Sequence, residues 1–152
     1  LAPIVVRCEI AKAELVSVAQ LHRELPVIAD PSMVAGVFLI TGFESRRGLP
    51  DYWKNNPGVS VEACQYLRQR FPALKFLGLD CISLSSYQHR EQGRAAHRVL
   101  LRPDEHGRAP LIVEDMRLSP ILPEVVLQEV VVAPLRVEQA DSLPCTVLGR
   151  LA

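Results

Sequence analysis

The chain has 152 residues, 49% hydrophobic and 22% charged, with 17 Lys and Arg matched by 17 Asp and Glu. Such a chain can build one globular domain with a substantial core, and it lacks the clustered positive surplus of a nucleic-acid binder. No apolar run reaches the ~18–20 residues that span a bilayer, so neither nucleic acid nor membrane is expected as a partner.

Cys8, Cys64, Cys81 and Cys145 lie far apart, form no Cys-x-x-Cys pair and sit inside apolar stretches. They read as reduced core residues rather than a zinc knuckle or redox pair. With no signal-peptide pattern at the amino end, a cytoplasmic protein is expected. The chain opens on Leu1, and its only methionines are Met33 and Met116. Residues are therefore expected to precede Leu1 at translation.

"PIVVRCEI" opens as a β-branched, core-type strand, so the chain reads as cut rather than complete. "AKAELVSVAQLH" places Leu15, Val18, Ala19 and His22 at helical spacing. "MVAGVFLITG" is a continuous apolar run suited to a strand buried on both faces. "FESRRGLPDYWKNNPG" follows as a long polar loop holding the only Trp. Ser60 can cap the next helix, "VEACQYLRQRF", with Ala63, Cys64, Leu67 and Phe71 as its buried stripe. "LKFLGLD" is a further strand, and strand–helix–strand in this order implies a parallel crossover. "CISLSSYQHREQGRAAH" reads as a loop. "PLIVED", "EVVLQEVVVAPL" and "LPCTVLG" read as strands, the last two as antiparallel neighbours. An α/β fold with a mixed sheet, about two helices and a β-rich carboxyl half results.

No nucleotide-cradling glycine motif, His-Glu-x-x-His or Gly-x-Ser-x-Gly occurs. Of the four histidines, His22 belongs to a helical stripe, while His89 and His106 sit in charged, polar segments. His97 differs, ending a Gly–Ala stretch and leading into an apolar run. Glu114 closes the strand "PLIV", where a carboxylate needs a partner or a cation. A structural salt bridge accounts for Glu114 as well as a functional role does. Asp80, at the end of "KFLGL", reads equally as a turn cap or a site residue.

Several stretches, in order, resemble the cyclase family of metal-dependent hydrolases, whose best-characterised members are bacterial kynurenine formamidases. "VFLITGF" is similar to that family's strand ending in Thr-Gly-aromatic. "YWKNNPGVSVEACQYL" resembles its Pro-Gly-x-Ser-x-Glu-Ala loop and helix, and "FLGLDCISLS" its Gly-x-Asp-x-x-Ser strand. "AAHRVLL" and "LIVEDM" match its downstream His and Glu, and "VVVAPLRVEQADSLPCTVLG" its closing segment. The resemblance covers nearly all of the chain.

It implies a single domain over residues 1–152 with a mixed or barrel-like sheet and flanking helices, of the swivelling β/β/α type. It implies hydrolysis of an amide bond, typically release of formate from N-formylkynurenine, with zinc or manganese, commonly in a homodimer or higher homo-oligomer. His97 and Glu114 stand where the family has metal ligands and catalytic groups. The family's His-x-Gly-Thr-His-x-Asp-x-Pro motif, which supplies most of the ligands, precedes the strand matched by "PIVVRCEI" and is missing here.

A catalytic zinc takes about three protein ligands, so these residues alone are expected to be inactive. Three explanations stay open: a segment removed from an ordinary hydrolase, a shortened relative that binds a small ligand, or a partner subunit that completes the site. Tyr52 and Trp53, in the long loop, are expected either to stack on an aromatic ligand or to pack at a subunit interface.

Overall fold

The computed structural model describes residues 2–152. Four parallel strands form its centre in the order β1 (Ala2–Arg7), β3 (Val34–Ile40), β5 (Phe76–Leu79) and β6 (Leu111–Val113). β3 is an inner strand and is buried along nearly its whole length, as its unbroken apolar run requires. Two short strands, β2 (Leu15–Val16) and β4 (Gly58–Val59), pair in parallel beside it.

Helices α1 (Val18–Glu24), α3 (Val61–Arg70) and α4 (Arg90–Leu101) lie on one side of the central sheet; a single-turn helix, α2 (Asp51–Lys54), interrupts the long loop. Leu21, Leu67, Ala96 and Leu100 pack against Val37, Leu77 and Leu79 of the sheet in the larger core. Strands β7 (Leu127–Pro134) and β8 (Cys145–Leu151) form an antiparallel hairpin over the other face. There Phe38, Val113, Met116, Leu118, Ile121 and Leu127 make a second core. The layers run hairpin, sheet, helices. Parallel and antiparallel strands occupy separate sheets, not one mixed sheet.

Local signals placed several boundaries. Ser60 accepts a hydrogen bond from the Ala63 N–H and starts α3. Ser17 and Gln20 form a reciprocal capping box at α1. The helix predicted from Ala11 therefore begins only at Val18, with Leu15 and Val16 pairing in β2 instead. The larger correction is α4. Twelve residues, predicted as loop and the start of an apolar run, form a helix that carries His97.

Candidate functional site

Glu114 follows β6 directly, at the carboxyl end of the parallel sheet, where ligands gather in open α/β folds. The next residue, Asp115, has φ +55, a left-handed conformation that Asp tolerates better than most residues. That turn keeps Glu114 in the site while Met116 returns to the core. Arg47 and the Tyr52 hydroxyl both hold the Asp115 carboxylate, and Arg47 also donates to the Asp115 and Met116 carbonyls. Tyr52 is thus buried beneath the site, its phenol pushed upward by burial and by the Asp115 carboxylate. Trp53 is half-exposed. Neither residue lines the cavity at the site.

His97 reaches Glu114 from α4. Its Nε2 is 3.4 Å from Glu114 Oε1, and each side chain is about one-third exposed (31% and 33%). The same oxygen accepts from Leu84 N–H at 2.7 Å and from Ser83 Oγ at 3.1 Å. Burial pushes the Glu114 carboxyl up, but the bonds from His97, Leu84 and Ser83 outweigh it and hold it below the usual range. The Glu114 carboxylate in turn raises His97, against the opposing effect of burial.

The other ring nitrogen, Nδ1, lies 2.9 Å from the Gly93 carbonyl and 3.2 Å from Ser85 Oγ. Hydroxyl, imidazole and carboxylate in sequence suggest a nucleophilic triad, but the Gly93 oxygen rules that out. A carbonyl can only accept, so Nδ1 carries a hydrogen and cannot take the proton of Ser85. Both ring nitrogens face acceptors, an arrangement satisfied when Nε2 also holds a proton or another positive species. Cys81 is no nucleophile either, since burial, with Asp80 and Glu114 close by, pushes its thiol up to about 12.

Asp80 is spent on backbone. Its carboxylate accepts from the Thr41 N–H and hydroxyl and from the Gly42 N–H. Gly42 has φ +80, a turn that glycine adopts without penalty. Of the remaining histidines, His22 packs edge-on against Tyr66, and His89 and His106 are exposed.

His97 and Glu114 form part of the wall of a cavity of about 1020 Å³ between β6 and the hairpin, lined mainly by apolar groups such as Met116, Val130, Val132 and Val147. Among the described residues, no three His, Cys, Asp or Glu side chains gather closely enough to hold one ion. Two donors do not fit a catalytic zinc, which takes about three from protein. Ser83, Ser85 and Gly93, which hold the pair in place, were not singled out from sequence. The sign available was their position in the two stretches that carry the Asp80 and His97 resemblances.

No protein-family description and no curated protein matches the chain. Among solved structures, it is similar to isatin hydrolase A from Labrenzia aggregata bound to benzyl benzoate, with a TM-score of 0.66 and 21% identity. The match covers 99% of this chain and 59% of that one, so the chain spans about three-fifths of its neighbour's length. No helix is long and apolar enough to cross a membrane among the described residues. The architecture and this likeness together give the chain a cyclase-like α/β fold.

Proposed function

We propose that the chain carries the imidazole and carboxylate of a cyclase-type hydrolytic site, which when complete cleaves a C–N amide bond, formamidase fashion, with zinc or manganese. The observation that supports this is the His97–Glu114 pair in the cavity wall. Its 3.4 Å separation is close to that of two donors each about 2.1 Å from one tetrahedral ion. The remaining donors come from further polypeptide or from a partner subunit in a homodimer or higher homo-oligomer. These 152 residues alone are inactive as an amide hydrolase. A cytoplasmic location belongs to the same proposal, supported by four free thiols.

Zinc calorimetry combined with a formamidase assay on N-formylkynurenine tests the reading. The 152-residue chain is expected to take up zinc weakly and to show no turnover above background. A longer polypeptide or assembly that completes the donor set is expected to turn over, and to lose activity on His97→Ala. Tight stoichiometric zinc with turnover by the chain alone refutes the inactivity, and no turnover by the completed site refutes the hydrolase reading.

The cavity favours a second reading, a small-ligand binding or interaction module on the same fold, because its size and apolar lining suit a small organic molecule. Thermal-shift titration with aromatic amides separates the two. Saturable binding unchanged by His97→Ala supports the binding module.

A further inference from the structure

One turn, residues 83–86, touches both members of the pair. Ser83 Oγ and the Leu84 N–H donate to Glu114 on one side, and Ser85 Oγ approaches His97 Nδ1 on the other. The turn comes this close because α4 presents a glycine to it. A Cβ at Gly93 would lie 2.2 Å from Ser85 Oγ, 2.4 Å from its Cβ and 2.9 Å from its Cα. The last of these is backbone, so a side chain there displaces the turn and not just the serine rotamer. Gly93 also supplies the carbonyl that faces Nδ1 at 2.9 Å.

We propose that Gly93 and Ser85 are positioning residues that keep a hydrogen on His97 Nδ1, leaving Nε2 as the one ring nitrogen open to Glu114 and the cavity. The Gly93 carbonyl is the primary acceptor of that hydrogen and Ser85 Oγ the second, so the ring can neither flip nor swap tautomers without stranding an acceptor. The functional meaning of this lock rests on the hydrolase reading: whatever Nε2 exchanges, it exchanges from one fixed direction. The ring geometry stands without that reading, so the test observes the ring and not turnover.

Metal-free protein labelled with ¹⁵N-histidine, with His97 assigned through His97→Gln, is expected to show a Nδ1–H cross-peak on both sides of the ring's titration. Ser85→Ala should speed solvent exchange of that hydrogen about fivefold, the loss expected of one hydrogen bond. Gly93→Ala should abolish the signal, and Gly93→Ala with Ser85→Gly should regain it, because the struck Oγ and Cβ are gone. Should Gly93→Ala fail to fold, Ser85→Ala and the double variant carry the test. A neutral ring with its hydrogen on Nε2 in the unsubstituted protein overturns the proposal. So do spectra unchanged in Ser85→Ala and in the glycine variants. Neither result bears on whether a completed site hydrolyses amides.

Discussion

His97 and Glu114 differ from ordinary surface ion partners in how many groups restrain them. The carboxylate takes three donors and the imidazole faces an acceptor at each nitrogen. The pH dependence follows from the opposite directions of their shifts. His97 is raised, so its contribution to stability is full below its unfolded value of about 6.5 and is lost as pH climbs through the folded value. Glu114 is lowered from 4.5, so its contribution is full above that value and is lost as pH falls through the folded one. The pair therefore stabilises most between about pH 4.5 and 6.5. Glu114→Gln is expected to cost about 1 kcal/mol in that window, a few degrees in Tm, with the difference shrinking towards pH 9. Parallel melting curves across pH check this, and a constant gap would show that the pair is not ionised. That Glu114 needed a partner was legible from its place after an apolar run. Which partner it had was not, because His97 arrives from a different element 17 positions earlier.

That element, α4, is the part of the fold hardest to see in sequence. Its buried positions are Gly93, Ala96 and Leu100, and two of those residues are too small to register as a hydrophobic stripe. His89 precedes it without a side-chain cap, so the usual start signal is missing as well. α3, by contrast, has its serine cap and a stripe of Ala63, Cys64 and Leu67, and it was predicted with both. The stop signal for α4 comes from tertiary structure. Arg68 on α3 donates to the carbonyls of Val99, Leu100 and Arg102 at 2.6, 3.3 and 2.5 Å, satisfying acceptors that a helix end leaves unpaired and placing a cation at its negative pole. Arg68→Met, which keeps much of the apolar stem, is expected to lower stability by about 1–2 kcal/mol. It should also raise amide exchange across the last turn of α4, measurable by NMR. Exchange unchanged there would assign the helix end to packing alone.

At the scale of the molecule, three layers leave apolar surface uncovered. Leu111 on β6 is 56% exposed, and Val131 and Leu148, opposite each other on the hairpin, are 52% and 63% exposed. β6 also ends the sheet with one side unpaired, and open edges invite association. Sedimentation velocity is expected to show a dimer or larger species, shifted towards monomer by Leu111→Glu. A clean monomer at every concentration would count against it.

The sequence by itself determined the α/β class, the five long strands, the hairpin and the two serine-capped starts. Those are local matters, decided by β-branched runs, caps and periodicity within a dozen residues. Only the tertiary structure decided that α4 is a helix, that Asp80 is consumed by the Thr41–Gly42 turn, that Tyr52 lies under the site, and that His97 meets Glu114 beside a cavity. Each of these depends on contacts between residues distant in sequence, where close approach at a glycine or one arginine reaching across helices outweighs any local preference.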